Sequence, residues 1–190
     1  MNILYINGHP YEKSFHSTIQ ETFVSSVSDA NTLKVLELGK AAFDPILRYG
    51  YAKRMPKDAF IEQSKELVAW ADHIVFAFPI WWGDAPALLR GWIDRVFTPG
   101  DTYKFNGFNI DKKLKGKTAD LIVTSRALRP IFWVIGVFGV SLFIRNLFLV
   151  TGIKKKAVIT LGGVGLIPKT DTEARRDAFL RRVARRASRL

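Results

Sequence analysis

The segments GHPYEKSFH at residues 8–16 and FPIWWGDAPALLRGWIDRVF at residues 78–97 hold the side chains best suited to chemistry in this chain. The first lies between an apolar run and the start of a helical pattern. A loop placed there offers free backbone N–H groups, the positive end of a helix dipole and the Ser14 hydroxyl to an anion above a sheet, which is what a phosphate site requires. Neither GxxxxGK[ST] nor GxGxxG occurs in it, so it is neither a P-loop nor the fingerprint of classical dinucleotide binding. Taken alone, Ser14 fits a plain helix cap equally well. The second segment joins a continuously apolar strand to an amphipathic helix through Pro79, Ile80, Trp81 and Trp82. Proline gives no N–H to a sheet ladder, so the strand is expected to stop at Phe78, with the tryptophans pushed out over its carboxyl end. Two adjacent tryptophans cannot both enter one core. At least one therefore faces the crevice, where it presents a flat surface suited to a planar ring.

Other chemistries are poorly supplied. The chain has no cysteine, which excludes a disulfide framework, a thiolate nucleophile and a cysteine-ligated metal. Its three histidines, His9, His16 and His73, have no arranged carboxylate partners, which speaks against a metal site, and no GxSxG elbow is present. His73 opens an apolar strand and reads as structural, whereas His9 and His16 flank the phosphate loop.

The elements that must position these residues alternate along the whole chain. Strands are expected at Asn2 to Asn7, Thr32 to Leu38, Asp72 to Phe78, Lys117 to Ser125 and Lys156 to Leu161. Helices are expected at Ser14 to about Ser28, Pro56 to Ala71, Asp84 to Phe97 with Asp84 as N-cap, Pro130 to about Val150, and Asp171 to Leu190. Residues 98–116 read as a Gly-, Asn- and Lys-rich excursion. Five strands with interleaved helices define an α/β chain, a three-layer sandwich around a parallel sheet of flavodoxin-like order 2-1-3-4-5, and residues 1–190 form a single domain. In such a sheet a ligand binds beyond the strands' carboxyl ends, here between strands one and three.

The formal net charge of +12 invites a nucleic-acid reading. Seven arginines fall between Arg175 and Arg189, yet Leu180, Val183, Ala184, Ala187 and Leu190 form an apolar stripe among them, as in a solvated helix packed through one face. No nucleic-acid signature accompanies the charge, so no nucleic-acid partner is expected. Peripheral contact with anionic lipids stays open. The N-terminus, MNILYINGHP, reads as a strand rather than a signal peptide, and a cytoplasmic location is expected. Ile131 to Ile144 is almost wholly apolar, but at ~1.5 Å per residue it reaches only about 21 Å, short of a hydrocarbon core of roughly 30 Å. It reads first as a helix buried against a partner subunit.

The two opening segments are similar to the signature stretches of the flavodoxin-like NAD(P)H dehydrogenase (quinone) family. The similarity runs from residue 1 to about 125 and resumes in the fifth strand. It implies a flavin, FMN or FAD, with the short chain favouring FMN; NAD(P)H as co-substrate; and a quinone or similar flat molecule as acceptor. It places His9, Ser14, Phe15 and His16 around the flavin phosphate, and Pro79, Ile80, Trp81 and Trp82 along the isoalloxazine ring. Thr124 and Ser125 stand where the family commonly carries Thr-Gly-Gly beside the flavin, and Ser125-Arg126 is a departure from that pattern. The resemblance also implies a homodimer with the active site at the subunit boundary. No histidine follows His73, so the family's Tyr–His relay is not carried over and no catalytic residue is assigned. The rival reading is a non-catalytic flavodoxin-like subunit that regulates a membrane transporter.

Overall fold

The computed structural model describes residues 1–128 and 137–190. In chain order the elements are β1 (Asn2–Asn7), α1 (Phe15–Val24), β2 (Thr32–Glu37), α2 (Ala59–Trp70), β3 (His73–Ile80), α3 (Ala87–Val96), β4 (Tyr103–Asn106), β5 (Asn109–Lys112), β6 (Thr118–Ser125), α4 (Val137–Thr151), β7 (Lys154–Gly162) and α5 (Glu173–Ala187). Of the helix expected over 130–150, residues 130–136, Trp133 among them, lie outside the described residues.

Successive side chains of a strand point to opposite faces, and here both faces are apolar. Leu4, Ile6, Phe76, Phe78, Leu121 and Val123 pack against α2, α3 and the end of α4. Ile3, Tyr5, Val75, Ala77 and Ile122 pack against Ile19 and Phe23 of α1 and Phe179 and Val183 of α5. Strands covered on both sides favour parallel pairing with helical crossovers. The sheet is fully parallel in the order β2-β1-β3-β6-β7, the expected 2-1-3-4-5.

The structure corrects two local expectations. Pro79 does not end β3: Pro79 pairs with Thr124 and Ile80 with Ser125 of β6. The reason lies on the other side of the strand. Gly8 N–H donates to the Ala77 carbonyl at 2.8 Å, so odd-numbered residues of β3 face β1, and β1 ends at Asn7 before Pro79 is reached. The absent N–H of Pro79 therefore points where β3 has become an edge, and no ladder bond is lost. Likewise Asp84 does not cap α3, whose N-cap is Pro86. Its carboxylate takes the Ala85 N–H at 2.7 Å and the Arg90 guanidinium, bracing the turn before the helix. The 98–116 excursion contains the antiparallel hairpin β4–β5.

The basic C-terminus has a structural role. β7 is an edge strand, and α5 lies along it with Arg175 donating to the Gly162 carbonyl at 2.9 Å and Arg182 to the Thr160 carbonyl at 3.3 Å. These guanidinium groups occupy acceptors that another strand would otherwise pair with. Arg186 reaches the sheet itself, donating to both oxygens of buried Asp120 at 2.6 and 3.2 Å. His73 stands 3.2 Å from the same carboxylate, with its other ring nitrogen 2.7 Å from the Thr118 hydroxyl, the structural placement expected of it.

Candidate active site

The carboxyl ends of β1, β3 and β6 meet at one cleft. The loop after β1 is held from within: Asn7 donates to Gln20 at 3.0 Å and accepts from His9 N–H at 3.1 Å, and Tyr11 N–H donates to His9 Nδ1 at 3.0 Å. Gly8 lets this loop lie on α3, because a Cβ there would stand 2.8 Å from Leu89 Cδ2 and 3.1 Å from Leu89 Cβ. The loop enters α1 at Ser14, which occupies the N-cap position with extended backbone yet makes no capping bond through its side chain. Its Oγ is buried and has no partner among the described residues. The N–H groups of Phe15 and His16 lie in the first turn beside it, where the helix supplies no carbonyl to them, while Ser17 N–H goes to the Ser14 carbonyl at 2.9 Å.

His16, the second residue of α1, is 2% exposed, with Nε2 2.9 Å from Thr124 Oγ1 on β6 and Nδ1 without a partner among the described residues. Burial, and then the neighbouring His9, pushes its pKa down to about 3, so the ring is neutral at physiological pH. His9 is lowered as well, by burial. The two imidazoles stack with centroids 5.6 Å apart, and Trp81 meets His9 edge-on at 5.7 Å. The result is an aromatic wall running from α1 to the turn after β3.

That turn is strained. Trp81 and Asp84 exchange both backbone bonds, at 2.9 and 3.0 Å, around Trp82 and Gly83. Both central residues have positive φ, 52° and 79°, as in a type I′ turn. Trp82 is the only residue other than glycine with positive φ among the described residues, and its side chain is wholly exposed. Asn or Gly would fit this position better, and backbone strain of this kind concentrates at functional sites.

The structure thus places His9, Ser14, His16, Trp81 and Thr124 around one cleft, with Trp82 at its rim. Ile80 is buried in the end of β3, and Pro79 lies in the ladder beside Thr124. Ser125 turns its hydroxyl to the Ala127 N–H at 3.0 Å, while Arg126 is exposed. Phe15 differs from the others: its ring packs toward α5, 6.2 Å from Phe179 and under Arg176, which leaves its backbone N–H as the group available to the cleft. Sequence reasoning did not find the His16–Thr124 pairing, which joins residues far apart in the chain and has no local signal. It also did not find the Asp84–Arg90 brace, because a separation of six residues is not a pairing spacing on a helix and gives no local signal.

Comparison with known proteins agrees with this architecture. Residues 1–187 match the family model described as Flavodoxin-like fold. A mouse relative, ribosyldihydronicotinamide dehydrogenase [quinone], is 31% identical over 160 residues, covering 72% of this chain and 68% of its own length. Among solved structures, Smu.1420 from Streptococcus mutans UA159 superposes with a TM-score of 0.86 at 28% identity, over 100% of both chains. An FMN-dependent NADH-azoreductase from Bacillus anthracis, solved in complex with FMN, has a TM-score of 0.74 at 17% identity, over 99% of this chain and 98% of its own, a likeness of fold alone. The chain belongs to the flavodoxin-like family. Within it, the chain stands with the NAD(P)H dehydrogenase (quinone)-type enzymes and is an oxidoreductase. Among the described residues no helix is long and apolar enough to cross a membrane.

Proposed function

We propose that this protein is a flavin-dependent NAD(P)H oxidoreductase that binds FMN in the cleft and reduces a quinone or similar flat acceptor, working as a homodimer. One observation carries the reading: two buried polar atoms without partners, Ser14 Oγ and His16 Nδ1, flank the start of α1 on the same cleft as the His9–Trp81 wall. Buried polar groups are nearly always satisfied, and these two would be satisfied by an oxyanion. The residues therefore fit a flavin phosphate at one end and a flat ring at the other.

In this arrangement the Ser14 hydroxyl and the first N–H groups of α1 hold the phosphate. Neutral His16 donates to the anion through Nδ1, which leaves Nε2 to accept from the Thr124 hydroxyl, a group able to serve that tautomer. Trp81 and His9 flank the ring, and Trp82 stands at the rim of the cleft. Bound there, the flavin supplies two-electron transfer between NAD(P)H and the acceptor. The chain needs no nucleophile for this, in keeping with its lack of cysteine. FMN, which ends at its phosphate, matches a site with a single oxyanion cradle better than FAD does.

The test is an absorption spectrum of the purified protein, followed by titration with FMN and with riboflavin. A flavin band, or uptake of FMN in clear preference to riboflavin, together with quinone-dependent NAD(P)H oxidation, is the expected result. A colourless protein that takes up neither flavin would sink the reading and favour a non-catalytic regulatory subunit.

A further inference from the structure

A cavity of about 880 Å³ opens between α2, the end of α3 and the loop before α2, and it shares no lining residue with the cleft. Its volume falls in the range of small-molecule sites. Arg95, in the last turn of α3, lines it and is only 5% exposed. Among the described residues its guanidinium has one hydrogen-bond acceptor, the Asp44 carbonyl. The Asp44 carboxylate is engaged elsewhere, with Ile46 N–H at 3.0 Å and Arg48 at 2.7 Å. A guanidinium has five N–H donors, and burying its charge without an anion is costly. Pinning the loop through one carbonyl accounts for one donor. The Asp44 carboxylate, its pKa lowered by the Ile46 N–H, by Arg48 and least by the charge of Arg95, gives its hydrogen bonds to Ile46 and Arg48, so the remaining guanidinium donors have no acceptor among the described residues.

The remaining surroundings suit an anion with an apolar body. Ile61, Val68, Val96 and Leu114 are buried and line the same cavity. Lys53, Arg54 and Lys57 stand exposed along the loop side. Facing them on α2 and beyond α3 are Glu62, Glu66 and Asp101, of which Glu62 and Asp101 lie 3.3 and 3.1 Å from Lys65. Cations thus outnumber carboxylates around the cavity, and the one buried charge is positive.

We propose that this cavity binds an amphipathic anion, with its oxyanion headgroup on Arg95 and its apolar body against Ile61, Val68, Val96 and Leu114. Fork-shaped guanidinium recognition suits a carboxylate or a phosphate monoester equally, so the shared chemistry is the assignment. The site is separate from the flavin cleft and does not depend on it.

Calorimetric titration of the full chain with decanoate, decyl phosphate and the neutral control decanol tests this. At least one anion should bind at a single site, with decanol weaker by about tenfold or more, and whichever anion binds better identifies the headgroup class. Ala69→Trp, at an exposed position on the cavity lining, should fill the space and weaken anion binding about tenfold or more, with FMN affinity unchanged. Arg95→Met should do the same where circular dichroism shows it folded. Absence of binding by both anions, decanol binding equal to theirs, or unaltered binding by Ala69→Trp would overturn the proposal. The FMN titration in the same variants reports separately on the cleft.

Discussion

Ser14 occupies a capping position without capping, and that distinguishes a binding group from a stabilising one. A cap deleted to Ala costs about 1 kcal/mol of stability, whereas Ser14 makes no such bond and should cost less. Ser14→Ala is therefore expected to leave the melting temperature nearly unchanged while weakening FMN about tenfold, one hydrogen bond to a charged group, with riboflavin affinity unaltered. Equal losses for the two flavins, measured by fluorescence quenching, would remove the phosphate assignment. His16 makes a pH prediction at the same scale. Its folded pKa of about 3 lies below the ordinary value of 6.5, so between those values the unfolded chain binds the extra proton. The stability that a neutral His16 contributes is fully present above pH 6.5 and is lost as pH falls toward 3. Urea midpoints of the wild type should decline through this window more steeply than those of His16→Gln, and parallel profiles would mean that His16 is not buried neutral.

At the scale of elements, the turn after β3 trades stability for surface. A bulky residue in the left-handed region costs about 1 kcal/mol, and Asn-Gly is the preferred type I′ pair. Trp82→Asn should raise stability by up to about 1 kcal/mol in thermal unfolding and at the same time weaken flavin retention. A destabilised variant, or one that holds flavin as tightly as the wild type, would count against this account of the turn. The sequence showed where this turn lies but not its form. The apolar run of β3 and the tandem tryptophans were readable from residue type and local spacing. That Pro79 stays in the ladder depends on β1 stopping at Asn7 on the neighbouring position, which is a tertiary fact. The order of the five main strands was legible for the opposite reason, since continuously apolar strands alternating with helices admit few topologies. The hairpin β4–β5 was not found because its strands are short and polar, although Gly107, at φ 61°, opening a two-residue loop with Phe108 was its signal. The pairing of His16 with Thr124 and the burial of Arg95 had no local sequence correlate at all.

For the whole molecule, two connections decide whether the domain closes and whether it stays alone. Asp120 lies fully buried under α5 and is held by Arg186; burial raises its pKa, but His73 close beside it and the hydrogen bonds from Arg186 outweigh this and hold it below the ordinary carboxylate value. Its contribution is thus present above about pH 4 and lost below it, a window below that of His16 over most of its range. Asp120→Asn should cost about 3 kcal/mol in urea unfolding at pH 7, as removal of one partner of a buried pair does; a cost near zero would make α5 a helix held by its apolar stripe alone. The second connection is outward. Phe105 and Phe108 stand 60% and 109% exposed within one four-residue stretch of the β4–β5 hairpin, an apolar pair of the kind that marks an interaction surface. A symmetric dimer would cover such aromatics from both copies at once. Phe108→Asp should therefore shift sedimentation from dimer toward monomer and lower NAD(P)H oxidation, while FMN still binds through Ser14 and the start of α1. Wild-type protein sedimenting as a monomer at micromolar concentration, or Phe108→Asp remaining a fully active dimer, would show that the hairpin faces solvent.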